Sequence, residues 1–176
     1  MPETPPLVER ALPFERSCIP EVGRLLHVLA GQRGRARVGE IGTGTGVGAA
    51  WMVSALPPGV PFVTVELDAD RAAAASRLFA DDENATVLHG DWHELMPPQA
   101  PFDLLFYDGG GKQHPEVDGD AVIRLLAPGG TVVLDDLTPG RPSPDPVRDF
   151  WLEHPELASI ELLTTPKTAA ILGIRL

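Results

Sequence analysis

Residues 38–46 read VGEIGTGTG, an apolar run that stops abruptly at three glycines in alternate positions. Glycine reaches backbone conformations closed to other residues and lets the main chain approach a ligand, so this turn marks a strand, a binding edge and a helix in succession. The flanks agree. Residues 36–41 suit a strand, and 47–56, with Val47, Trp51 and Leu56 among Ala and Met, suit a helix stopped by Pro57, Pro58 and Gly59. Two ligand classes use such a turn. The dinucleotide fingerprint G-x-G-x-x-G fails from Gly42, where the sixth position is Val47, yet from Gly44 it reaches the permitted Ala49. The pattern acidic-x-G-x-G-x-G fits in full as Glu40, Gly42, Gly44 and Gly46. It sets a carboxylate at the end of the first strand, where it can hold a cationic amino group.

The βα alternation continues along the chain. A helix is predicted from Pro20, with Val22, Leu25, Leu26 and Leu29 on one face and Gly31 and Gly34 as its stop. Strands are predicted at 61–66, 85–89, 102–107 and 131–134, and helices at 69–80, where Asp68 is the N-cap, at 115–127 and from Pro146. Residues 160–165 and 169–175 read instead as two strands around a tight turn at Pro166 and Lys167. Five βα units closed by an antiparallel pair predict a three-layer α/β/α sandwich with a Rossmann-like, doubly wound, mostly parallel sheet and a C-terminal hairpin. At 176 residues this is one domain, preceded by an irregular Pro-rich arm over 1–17.

Composition narrows the partners. Lys and Arg number 14 against 25 Asp and Glu, a net charge of −11, which opposes binding to nucleic-acid phosphates. The apolar stretches break well short of the ~20 residues needed to span a bilayer. The opening MPETPPLVER has acids and prolines where a signal peptide needs basic residues and an apolar run. The lone cysteine, Cys18, forms no intramolecular disulfide. These features predict a cytoplasmic protein that meets neither nucleic acid nor membrane, and they leave a homodimer open.

Two further acids stand at predicted strand ends. Glu66 closes the second strand, where a carboxylate can accept the two hydroxyls of a ribose, whether the ligand is NAD or S-adenosylmethionine. Asp91, in the run His89, Gly90, Asp91, Trp92, can accept from an adenine amino group, with the Trp92 amide available to a ring nitrogen.

Taken in order, VGEIGTGTG, FVTVELD (62–68), FDLLFYD (102–108) and PGGTVVLDD (128–136) resemble class I S-adenosylmethionine-dependent methyltransferases. The nearer likeness is to the catechol and caffeoyl-coenzyme A O-methyltransferase family. The resemblance implies that Glu40, Gly42 and Gly44 line the methionine end of the cofactor, that Glu66 binds the ribose, and that Asp91 and Trp92 bind the adenine. Thr43, Gly46, Leu67, Gly90 and Asp108 complete the expected cofactor contacts. It also implies methyl transfer to a small-molecule hydroxyl. Metal-dependent members hold a divalent cation on the acid ending strand four and an Asp-Asn pair ending strand five, which correspond here to Asp108, Asp135 and Asp136. Clustered carboxylates suit Mg²⁺ or Mn²⁺ better than Zn²⁺. Lys112 or His114 is the expected general base. The chain departs from the family in two places: Asp136 stands where Asn is usual, and Lys112 follows Asp108 by four residues rather than three. The acceptor pocket falls to the Pro-rich arm and the loops at 109–114 and 137–144. Two other readings stay open: an NAD(P)-dependent oxidoreductase using Gly44, Gly46, Ala49 and Glu66, and a methyltransferase-fold protein that binds the cofactor without catalysis.

Overall fold

The structure is a computed structural model, which describes residues 3–11 and 17–176. Seven strands form one sheet in the order β3-β2-β1-β4-β5-β7-β6. They are β1 (Val38–Ile41), β2 (Phe62–Glu66), β3 (Ala85–His89), β4 (Phe102–Tyr107), β5 (Leu126–Leu137), β6 (Leu157–Thr165) and β7 (Thr168–Arg175). The first five run parallel, and β7 is antiparallel to both β5 and β6. The doubly wound sheet and its terminal hairpin are those expected. Every residue of β1 and β2 is buried, as strands covered on both faces must be.

Helices flank both faces. Helices α1 (Pro6–Arg10), α2 (Pro20–Ala30), α3 (Val47–Val53) and α4 (Ala69–Leu78) cover one face, over a core that includes Leu26, Trp51, Met52, Phe62, Leu104 and Phe106. Helices α5 (Trp92–Leu95), α6 (Pro115–Arg124) and α7 (Pro146–Glu153) cover the other, over Ile41, Phe102, Leu105, Tyr107, Ile123 and Trp151. Asp68 caps α4 by accepting from the Asp70 and Arg71 amides, as its place before an Ala-rich run predicts.

Several elements differ from expectation. Part of the arm read as irregular is helical at Pro6–Arg10, with Leu7 and Val8 packed on the α2–α3 side; the rest of the arm over 1–2 and 12–16 lies outside the described residues. Strand β5 runs from Leu126 to Leu137, through the Pro128, Gly129 and Gly130 that were read as a turn. It shifts register between its pairings to Phe102 and Leu104, and pairing to β7 carries it on to Leu137. Helix α6 therefore ends at Arg124, because Leu126 already belongs to the sheet. Helix α5, capped by Asp91, is a single turn too short for periodicity to reveal.

Candidate active site

Strand β1 lies between β2 and β4, and the connections leaving β1 and β4 pass to opposite faces. At this reversal the ends of the parallel strands splay open, and ligands of such sheets bind there. A cleft of about 930 Å³ occupies the place. Glu40, Gly42, Thr43, Gly44, Glu66, Leu67, Gly90, Asp91, Trp92, Asp108 and Lys112 line it, so most of the separated positions expected from the sequence share one wall.

The glycine turn is held by the sheet. The Gly42 and Thr43 amides both donate to the Val65 carbonyl, at 3.0 and 3.2 Å. Gly42 has φ +94°, and a Cβ there would sit 2.7 Å from the Gly109 Cα, so the turn lies directly against the loop after β4. Gly46 departs from expectation. It is absent from the cleft wall, and a Cβ at this position would meet Leu78 at the end of α4 and Phe79, its C-cap. With φ +96° at the N-cap of α3, it lets the helix start close against the end of α4.

Glu40 is 1% exposed. Its Oε2 accepts from the Thr64 hydroxyl at 2.6 Å, and the Thr43 hydroxyl completes the chain 2.5 Å from Thr64. Burial pushes this carboxyl well above its usual range against the pull of the Thr64 bond, and Asp108, Glu66 and Asp135 push it further. Glu66 is held on both oxygens: Oε2 accepts from the Gly44 amide at 2.7 Å, and Oε1 from the Asp68 amide at 2.9 Å and Arg71 Nη2 at 2.8 Å. The carboxylate thus ties the glycine turn to the start of α4.

Asp91 accepts through one oxygen, Oδ1, from both the His93 amide and His93 Nδ1. His93 Nε2 meets Asp118 Oδ1 at 2.8 Å, and its ring stacks on Trp92 with centroids 3.8 Å apart. A ring with a carboxylate at each nitrogen is satisfied only as the imidazolium, which donates from both. Partial burial works against that charge, but the bonds to Asp118 and Asp91 outweigh it and raise the His93 pKa. Asp91 is therefore a helix cap and half of an ion pair, with its other oxygen outside both contacts.

At the opposite end of the cleft Asp108, Asp135 and Asp136 converge, with ligand oxygens all within 4.8 Å of one another. Asp136 reaches the group with φ +63°. Lys112 is 8% exposed, and its ammonium donates to all three: to Asp108 Oδ1 at 2.8 Å, Asp135 Oδ1 at 3.0 Å and Asp136 Oδ2 at 3.0 Å. Burial opposes its charge, and the three carboxylates more than compensate, so its pKa is raised. Bonding to three carboxylates favours the charged ammonium and so works against the expected role as a general base. The three oxygens form a hard donor set that would suit Mg²⁺ by chemistry, but a protein cation already stands among them, and the residues as arranged do not fit a metal. His114 does not reach the site. Its side chain is 71% exposed and pairs with Glu116 at 3.4 Å.

Of the expected acceptor-side segments, Ser17 at the end of the arm and 109–113 line the cleft, with Cys18 and Ile19 beside Ser17, whereas 137–144 does not. The Cys18 thiol is pushed far up by burial and by the carboxylates around it, which keeps it unreactive. Arg71, His93 and Asp118 are wall residues that the sequence did not point to. Arg71 had a signal, one turn into the helix after Glu66; Asp118 and His93 come together only through the packing of α5 and α6.

Known proteins resemble this chain in sequence and in fold. The profile described as Methyltransferase domain matches residues 40–137. A putative O-methyltransferase of Mycobacteroides abscessus is 32% identical over 133 residues, covering 72% of this chain and 61% of that protein. A probable O-methyltransferase of Mycobacterium tuberculosis is 29% identical, covering 72% and 59%. The chain thus spans about three-fifths of the length of these curated relatives. The crystal structure of the Streptomyces achromogenes O-methyltransferase of tomaymycin synthesis, in complex with S-adenosylmethionine, superposes with a TM-score of 0.76 at 26% identity, over 98% of this chain and 91% of that one. A Bacillus cereus O-methyltransferase in complex with S-adenosylhomocysteine shares the fold with a TM-score of 0.78 at 20% identity, over 100% and 93%. With its glycine turn and strand-end acids inside the matched stretch, which is more than half of its length, the chain belongs to the methyltransferase domain family.

Proposed function

We propose that this protein is an S-adenosylmethionine-dependent O-methyltransferase acting on a hydroxyl of a small molecule. The observation that carries the reading is the single cleft wall on which Glu40, the turn at Gly42 and Gly44, Glu66 and Asp91 follow one another along the strand ends. The fold and the O-methyltransferase relatives support it. Glu66 would hold the ribose, keeping its backbone and Arg71 donors while accepting the hydroxyls. Trp92 and the outer oxygen of Asp91 would hold the adenine, and Glu40 with the glycine turn the methionine end. When bound, the cofactor supplies an electrophilic methyl group on a sulfonium. The protein's part is to hold an acceptor oxygen in line with it between the Ser17–Cys18 side and the loop at 109–113.

The oxidoreductase reading is weaker in the glycine turn, because Gly46, which its fingerprint wants at the ligand, does not line the cleft. Calorimetric titration of the cofactor-stripped protein tests the proposal. Saturable micromolar binding of S-adenosylhomocysteine, followed by transfer of labelled methyl in a screen of hydroxyl compounds, is the expected result. Binding of NADH in its place would overturn it, and binding without transfer to any acceptor would leave a cofactor-binding protein and no enzyme.

A further inference from the structure

Lys112 stands where a cation is wanted and is itself one. Three oxygens, one each from Asp108, Asp135 and Asp136, lie 2.8–3.0 Å from its Nζ. Two of those side chains and the lysine are at most 17% exposed, so the group is shielded from water on most sides. We propose that Lys112 is a tethered replacement for a divalent ion: its ammonium fills the acidic triad, and the protein has no metal requirement.

The geometry excludes sharing. Mg²⁺ bonds carboxylate oxygen at about 2.1 Å, so an ion held by these three groups would sit in the space that Nζ fills, pressed against a second positive charge. Expelling Lys112 would take an ammonium and four methylenes out of a packed position, and its loop is built to keep it there. Gly111 turns at φ +100°, and a Cβ on it would collide with Asp118 and come within 2.9 Å of the Tyr107 hydroxyl. The short glycine run at 109–111 thus returns the chain so that Lys112 points back across the end of β4 to the end of β5. The charge logic is equally direct. Without a cation, three carboxylates in a partly buried cluster repel one another and cannot all stay ionised, and one ammonium bonded to all three relieves each pair.

The test is Mn²⁺ binding, followed by electron paramagnetic resonance on the whole 176-residue chain without cofactor, so that a failed cofactor titration would leave it untouched. Lys112→Met keeps the stem and removes the charge. Wild type is expected to leave Mn²⁺ free, and Lys112→Met to bind it at least about tenfold more tightly, because a site of three unpaired carboxylates is then open. Adding Asp135→Asn to Lys112→Met should abolish that gain. Equal affinity in wild type and Lys112→Met would overturn the proposal, as would a folded Lys112→Met protein that binds no Mn²⁺. Should Lys112→Met fail to fold, wild type alone still decides. Paramagnetic broadening of the Asp108 and Asp136 amide signals on adding Mn²⁺ refutes the proposal, and unchanged signals uphold it.

Discussion

Glu66 accepts from two backbone amides and an arginine, which makes it a brace between the glycine turn and the start of α4. Glu66→Ala should therefore weaken S-adenosylhomocysteine binding by about 1–3 kcal/mol, since charge-assisted hydrogen bonds to a ribose are lost. Calorimetry gives the number, and unchanged affinity would remove Glu66 from the ribose. His93 carries a pH prediction. Its folded pKa is raised above the ordinary value of 6.5, so its ion pairs with Asp91 and Asp118 stabilise the fold fully below that value. That contribution is lost as pH climbs through the raised folded pKa. The melting-temperature gap between wild type and His93→Gln should accordingly be widest in acid and close above neutrality; a gap that widens with pH would contradict the assignment. At this scale the sequence was legible wherever a residue's role follows from its place at a strand end, as for Glu40, Glu66 and Asp91. It was not legible for Lys112, whose position depends on how a glycine loop folds back, nor for Gly46, whose neighbours come from a helix about thirty residues away.

Between residues and the whole chain, the elements that alternation dictates were readable and those that pairing dictates were not. Strands β3 and β4 begin and end where their apolar runs do. Strand β5 does not, because Pro128, Gly129 and Gly130 carry turn signals that the neighbouring strands override. The loop after β5 shows how such an element is secured. Arg148 of α7 bonds the Thr138 carbonyl at 2.7 Å, Asp145 at 2.6 Å, and both oxygens of Glu161 on β6 at 3.0 and 2.8 Å. This buried guanidinium pins the loop at 138–145 between helix and edge strand. Arg148→Ala leaves two carboxylates without their partner and should cost about 3–5 kcal/mol in urea unfolding. Arg148→Lys should recover only part of that, since an ammonium cannot match the bidentate Glu161 contact.

For the molecule as a whole, the sheet order places two chemistries at opposite ends of one cleft. Glu66, Asp91 and Trp92 gather where β2 and β3 end, while Asp108, Lys112 and Asp136 gather where β4 and β5 end, with Glu40 and the glycine turn between them. On the proposed function, the ribose and adenine would be held at the first end and the acceptor beside the acidic triad at the second. That separation fixes what a chelator does. If Lys112 supplies the positive charge at the acceptor end, methyl transfer should proceed in excess EDTA at a rate within about twofold of that in Mg²⁺, because no metal-bound oxygen has to form. Cofactor affinity should be equally indifferent to Mg²⁺, since none of the residues that would hold the ribose or adenine belongs to the triad. Lys112→Met should break only half of this pattern, keeping its cofactor affinity while its turnover collapses without a divalent ion. Turnover of wild type that vanishes in EDTA and returns with Mg²⁺ would instead mean that Lys112 swings out to admit a metal. The glycines at 109–111 would then be the hinge of that swing rather than the turn that locks it.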